Sequence, residues 1–146
     1  RFEEILKMGT LVNSCLAIGG CYQCAAAANA CDANKRVVFA HDRRGRFLAR
    51  QLVAISEDGR LVCFEVYGRR VDASLRSAFA GFDRMLAGEL EIPLWSEEDP
   101  PYEIPSLAYP EWYDDGPPVF EGGEQGLVLR PVRVGKRERL AGLVQG

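Results

Sequence analysis

The sequence predicts an α+β fold with N-terminal helices, a three-stranded antiparallel meander, a packing helix and an extended acidic arm rich in proline and aromatic residues. Two observations predict its core. Three β-branched and aromatic segments are joined by short turns at 42–45 and 56–59, and turns this short connect antiparallel neighbours. A segment with an apolar repeat of helical period then follows, and its apolar side is expected to pack on the sheet.

Three helical segments are expected before the strands. The first ends at Gly9, which suits a C-terminal cap. The second covers residues 11–18, where apolar residues recur at helical spacing, and the glycines at 19–20 end it. A strand over the same residues is the alternative. The third is a buried, alanine-rich helix over residues 21–33, ended by Asn34 in a left-handed conformation.

The strands are predicted at residues 35–41, 46–55 and 60–68. Neither side of the second strand is cleanly polar, so both faces of the sheet are expected to be partly covered. The helix that follows begins after Asp72, a good N-cap, and ends near Gly88. Its apolar stripe consists of Leu75, Phe79, Phe82 and Leu86.

Charge divides the chain into three parts. Residues 1–88, the predicted compact core, carry a net charge of +4. Residues 89–127 carry −11 and seven of the eight prolines, and we expect an arm that packs on the core or on a partner. Residues 128–146 carry +4 and are expected to form an edge strand and a basic tail.

Composition places the chain among soluble globular proteins, with 146 residues, 47% of them hydrophobic and 27% charged. No apolar run approaches the roughly 18 residues that span a bilayer, so no membrane contact is expected. Five cysteines without a secretory signal indicate a reduced, cytoplasmic protein. Fifteen arginines against three lysines, and a first residue other than Met, suggest a piece of a larger bacterial protein.

Four of the five cysteines lie between Cys15 and Cys31. On one continuous helix Cys24 and Cys31 are about 10.5 Å apart along the axis. Two thiolates on one zinc ion are at most about 4.6 Å apart, so these two share neither a metal ion nor a disulfide. Cys21 and Cys24 form a CxxC pair, but the second ligand pair of a zinc site and the βαβ context of a redox dithiol are missing. We therefore predict no metal and no cofactor, with the cysteines mainly packing in the core.

A thiol hydrolase is one alternative function. Cys15 would be the nucleophile and His41, the only histidine, its base. Asp42 follows directly and would orient the imidazole. The backbone N–H groups of the glycines at 19–20 would stabilise an oxyanion.

A nucleic-acid contact module is the second alternative. Basic residues gather on and beside the first hairpin, and arginine-rich hairpin tips contact phosphates. The predicted contact residues are Lys35, Arg36, Arg43, Arg44, Arg46 and Arg50. A solvated turn that is partly neutralised by the acidic arm explains the same pattern.

The most distinctive string of the acidic arm is EWYDDGPP, at residues 111–118. It suits an ordered turn that presents two aromatic rings. Its predicted partner-binding residues are Trp112, Tyr113, Asp114 and Asp115. We therefore favour a non-catalytic, protein-interaction or regulatory module of a larger bacterial cytosolic protein. Its partner would be another protein or another domain of the parent chain.

Overall fold

Three antiparallel strands form the centre of the fold, as the sequence predicts. The computed structural model describes residues 2–105. Its sheet has the strand order β1-β2-β3, with β1 at Lys35–His41, β2 at Phe47–Ile55 and β3 at Leu61–Gly68. The helices are α1 (Phe2–Leu6), α2 (Met8–Val12), α3 (Gln23–Cys31) and, after the sheet, α4 (Ala73–Glu89). The predicted fold class is confirmed for this part of the chain.

The middle strand is buried on both faces, which confirms the expectation drawn from its mixed pattern. Every residue of 49–54 is buried. Leu52 and Ala54 face the side that the N-terminal helices cover, while Val53 packs with Ala87 of α4. The sheet is therefore the middle layer of three.

A β-bulge interrupts the pairing of β2 with β3. Gln51 pairs with Val66, but Val53 pairs with Cys63, so two residues of β3 oppose Leu52 alone. The Gln51 side chain donates a hydrogen bond of 3.0 Å from Nε2 to the carbonyl oxygen of Phe64, one of these two residues. The bulge thus receives a hydrogen bond from the neighbouring strand. Bulges bend the strand that contains them, and here that strand is β3, at the edge of the sheet.

The predicted helix over residues 11–18 is wrong. Helix α2 ends at Val12 because Asn13 adopts the left-handed conformation, with φ of 55°. Residues 14–22 run as turns, and Ile18 is 70% exposed instead of packing with its predicted stripe. Gly9 lies inside α2 and does not end a helix. A Cβ at Gly9 would lie 2.1 Å from the backbone of Leu16, so glycine allows this close approach.

Helix α3 is shorter than predicted. It ends at Cys31, and Asp32, whose backbone is extended, caps it, so Asn34 does not have the predicted role. Its buried side is made mainly of alanines, which let the helix approach its neighbours closely. The buried residues of α3 are Ala25, Ala26, Ala28 and Asn29.

Helix α4 begins as predicted and ends differently. The Asp72 carboxylate accepts a hydrogen bond of 2.9 Å from the backbone N–H of Leu75, which confirms the N-cap. The helix continues through Gly88 to Glu89. Its buried residues are Phe79, Asp83 and Ala87. Phe82, a member of the predicted stripe, is 37% exposed, because the buried side follows an i, i+4 row through the polar Asp83.

Residues 92–105, here called the strap, pack on the sheet. Leu94 forms a parallel bridge with Leu61 of β3. The N–H of Leu61 donates to Pro93, and the N–H of Trp95 donates to Leu61, both at 2.8 Å. Ile104 then joins the core on the Leu52 face of the sheet. The rest of the predicted arm and the tail over residues 128–146 lie outside the described residues.

A buried ion pair fastens the end of the strap. Lys35 and Asp32 are joined by a salt bridge, and both side chains are fully buried. Lys35 Nζ also donates to the carbonyl oxygen of Pro105 at 3.2 Å, and Asn34 Nδ2 donates to the same oxygen at 2.8 Å. Burial lowers the pKa of Lys35, whereas the hydrogen bond and charge of Asp32 act in the opposite direction. Lys35, the first residue of β1, and Asn34 directly before it thus hold a residue 70 positions away.

Replacing Lys35 by Met will destabilise the fold by about 3–5 kcal/mol, because it leaves the Asp32 carboxylate buried without its cation. The double variant Lys35→Met/Asp32→Val will recover most of this loss, since no unpaired charge remains. Urea unfolding followed by circular dichroism measures both. Equal stability of the single and double variants would show that the pair is not coupled. Exposed Lys7→Met is the matched control, since it makes the same substitution at a side chain outside the pair.

Candidate functional site

A groove lies along the outer edge of β3, where the strap leaves the sheet. We call it the β3 groove, and its cavity volume is about 210 Å³. It is lined by Val62, Cys63, Phe64 and Glu65 of β3 and by Trp95, Glu97 and Tyr102 of the strap. The site is thus built from an edge strand and a segment distant from it in sequence.

The edge of β3 offers backbone hydrogen-bonding groups at this groove. Leu61 directs its N–H and C=O toward the strap, away from β2. Alternate residues of an antiparallel ladder point the same way, so Cys63 directs its peptide groups to this edge as well. Within residues 2–105, no strand pairs with β3 on this side beyond the bridge at Leu61.

Aromatic rings form one wall of the groove. The rings of Trp95 and Tyr102 meet edge to face, with centroids 5.0 Å apart and an angle of 81° between their planes. Phe64 packs against Tyr102 in the same manner at 6.0 Å. Trp95 Nε1 donates a hydrogen bond of 3.0 Å to the carbonyl oxygen of Pro100, which fixes the indole. The wall is therefore already ordered.

Carboxylates stand at the rim of the groove. Glu65 Oε1 accepts a hydrogen bond of 2.6 Å from Arg76 of α4. Glu97 is exposed and makes no ion pair with any of the residues described. It lies in a turn closed by a hydrogen bond from Asp99 to Ser96, and Asp99 is paired with Arg60 at 3.1 Å. The rim carries negative charge on an ordered turn, which favours a basic ligand.

Behind the groove, Cys63 lies beside a buried carboxyl group. Gln51 Nε2 donates a hydrogen bond of 3.2 Å to Asp83. Burial raises the pKa of Asp83, although hydrogen bonds from Gln51 and Cys63 lower it. Burial and the neighbouring Asp83 both raise the pKa of the Cys63 thiol. A thiol that stays protonated is a poor nucleophile, so Cys63 contributes packing and a polar contact to the groove.

The residues of the predicted hydrolase make other contacts. Asp42 accepts a hydrogen bond of 2.7 Å from Arg46 Nε, and hydrogen bonds from Arg46 and Arg44 lower its pKa. His41 packs edge to face on Phe47, with ring centroids 6.1 Å apart. Asp42 therefore stabilises the hairpin turn, in place of the predicted orienting contact with the imidazole.

The proposed oxyanion donors are also engaged. The N–H of Gly19 donates to Gln23 Oε1 at 2.9 Å, and the N–H of Gly20 donates to the carbonyl oxygen of Ala17 at 2.7 Å. Cys15 itself is half-buried in the turns before α3. These contacts argue against the hydrolase hypothesis, since the proposed oxyanion donors and the Asp42 carboxylate have other partners.

The prediction that the cysteines pack in the core is wrong for most of them. Cys21, Cys24 and Cys31 are exposed, and Cys63 is half-buried. The alanines of α3 occupy its inner side, so the thiols point outward. Among residues 2–105 no three His, Cys, Asp or Glu side chains are grouped so as to hold a metal ion.

The basic hairpin is less exposed than the sequence predicts. Lys35 and Arg50 are fully buried and do not reach the surface. Arg50 Nε donates to the carbonyl oxygen of Met8 at 3.1 Å, and its guanidinium lies 4.8 Å from the ring centre of Tyr67. Arg36 is exposed near the start of β1, away from the hairpin tip, and donates hydrogen bonds to the carbonyl oxygens of Asp32 and Lys35. Arg43, Arg44 and Arg46 are exposed at the hairpin tip.

The predicted partner-binding residues Trp112, Tyr113, Asp114 and Asp115 lie outside the described residues. Sequence reasoning missed the β3 groove, although the density of aromatic residues in the proline-rich segment was the signal for it. Comparisons with protein families, curated proteins and solved structures find none that matches this chain. In the part of the chain that the structure describes, no helix has the length and apolarity to cross a membrane.

The substitution Asp83→Asn will raise the free energy of unfolding at neutral pH. In the wild type, the pKa of Asp83 is higher in the folded state than in the unfolded state. As pH rises above the ordinary aspartate value of 3.8, Asp83 therefore loses its proton first in the unfolded state. The free energy of unfolding falls as a result, until pH passes the raised pKa of the folded state. Asparagine stays neutral and can still accept from Gln51. Urea unfolding at several pH values will show a difference that grows with pH. A difference that does not change with pH would contradict the buried carboxyl.

Alkylation of the folded protein by iodoacetamide will modify Cys21, Cys24 and Cys31 first, because they are exposed. Cys63 will react last, since burial both shields the thiol and raises its pKa. Peptide mapping by mass spectrometry gives the order. Modification of Cys15 before the three exposed thiols would contradict this expectation and favour an activated nucleophile.

Proposed function

We propose that this chain is a non-catalytic protein-interaction module whose β3 groove binds an extended, basic segment of a partner protein. The observation that supports this most strongly is the open edge of β3 beside an ordered aromatic wall and an acidic rim. The partner is a separate protein or another domain of the parent chain. The larger bacterial cytosolic protein expected from the sequence remains part of this proposal.

An extended segment fits the geometry because the strap already shows the pairing mode. Leu94 and its neighbours pair with Leu61 and then leave the edge after Trp95. A second extended segment would continue this pairing at Cys63, where the backbone groups point outward. Strand addition supplies affinity through backbone hydrogen bonds, and alternate side chains supply specificity.

The acidic rim and the aromatic wall of the groove determine which side chains the ligand should carry. A Lys or Arg of the segment would lie near Glu97, whose carboxylate has no cationic partner within residues 2–105. An apolar or cationic side chain would pack against Trp95, since indole faces attract cations and bury apolar area. The ligand is thus a segment in which basic and apolar residues alternate.

A fluorescein-labelled ten-residue peptide of alternating lysine and valine tests this function by fluorescence anisotropy with the full 146-residue chain. Trp95→Ala will weaken binding about 30-fold, the typical loss for an aromatic anchor of about 2 kcal/mol. Glu97→Lys will weaken binding and reduce its salt dependence, because it reverses a charge at the rim.

Glu3→Lys is the matched control, since it makes the same charge change on α1, away from the groove, and will leave binding unchanged. A peptide of alternating glutamate and valine will not bind. Equal loss with Glu3→Lys and Glu97→Lys, or binding that Trp95→Ala leaves intact, would contradict the proposed site.

A further inference from the structure

Two basic segments meet at one end of the sheet. The hairpin tip follows His41, which pairs with Phe47 at the start of β2. Gly68, the last residue of β3, pairs with Ala49 at the same end. Residues 69–70 therefore leave the sheet next to the hairpin tip. Together these segments place four exposed arginines at what we call the arginine end: Arg43, Arg44, Arg69 and Arg70.

These arginines lack carboxylate partners among the described residues. Arg46, in the same turn, is paired with Asp42, whereas no ion pair involves the four residues of the arginine end. Asp42 Oδ1 accepts hydrogen bonds of 2.9 Å from the backbone N–H groups of both Arg44 and Arg46. The turn is thus internally braced, and it presents its free guanidinium groups on a fixed backbone.

The two carboxylates at this end are already engaged, Asp42 by Arg46 and Asp72 as the N-cap of α4, and a second group of acidic residues lies too far away to neutralise it. Glu57, Asp58 and the strap residue Glu97 lie around the opposite end, where β2 ends and β3 begins. The nine residues of β2 separate the two ends by about 27 Å. The Debye length at physiological salt is about 8 Å, so the two ends act independently despite the net charge of −3.

We propose that the arginine end binds the phosphate backbone of a nucleic-acid duplex. Neighbouring strands lie about 4.8 Å apart, so the three strands present their arginines over about 10 Å. The major groove of B-DNA is about 12 Å wide and admits a β-ribbon, which brings the hairpin tip and residues 69–70 against the phosphates on both sides. This inference does not rest on the β3 groove, which lies toward the other end.

A fluorescein-labelled 20-base-pair DNA duplex tests the inference by anisotropy with the full chain at several salt concentrations. Four phosphate contacts predict a slope of about −3.6 for log K against log salt. Affinity will therefore fall about 150-fold between 50 and 200 mM salt. The double variant Arg43→Gln/Arg44→Gln will bind more weakly, with a slope smaller in magnitude by about 1.8.

Arg36→Gln/Arg84→Gln is the matched control, because it removes the same charge from exposed arginines away from this end. Its affinity and slope will stay those of the wild type. Equal loss in both double variants would show attraction by net charge alone and overturn the proposal. Absence of DNA binding at 50 mM salt, or arginine-dependent binding to phosphatidylserine vesicles without binding to DNA, would also overturn it. Either result leaves the peptide-binding function standing.

Discussion

Burial of the middle strand on both faces is the constraint on which this structure depends. A sheet of three strands has one interior strand, and here residues 49–54 of that strand are all buried. Each face consequently needs its own covering layer. Helices α1–α3 and the strap cover the Leu52 face, and α4 covers the Val53 face. The close approach at Gly9 and the alanine side of α3 serve the same constraint, because they keep the N-terminal layer thin.

The same constraint explains the polar residues inside the protein. Arg50 and Gln51 are adjacent on β2, so they point to opposite faces, and each meets a partner provided by a different layer. Arg50 reaches the backbone of α2 and the ring of Tyr67, while Gln51 reaches Asp83 of α4. A slip of one residue would exchange them and break the contacts of both side chains. These contacts therefore specify the register as well as satisfying buried groups.

Sequence reasoning succeeded where the signal is local. Strand bounds, the meander and the Asp72 cap follow from side chains a few positions apart. It failed where the outcome depends on which side of an element is covered. Periodicity could not show that alanines, and not Cys24 or Cys31, face inward, nor that Lys35 is buried. Lys35 is buried because the chain folds back 70 residues later and places the carbonyl oxygen of Pro105 against its side chain. The β3 groove was missed for the same reason, since a strap folded back from a distant segment forms its wall.

The strap links the stability of the core to the proposed binding site. It supplies Trp95 and Tyr102, so the aromatic wall exists only while the strap lies on the sheet. Its end is held by Lys35 and Asn34 through Pro105. Loss of this attachment would lower the fraction of molecules with a formed groove, and apparent affinity falls in proportion to that fraction. The arginine end contains no strap residue, so its affinity would not change. Strap release therefore separates the two surfaces: it would weaken peptide binding and leave phosphate binding intact.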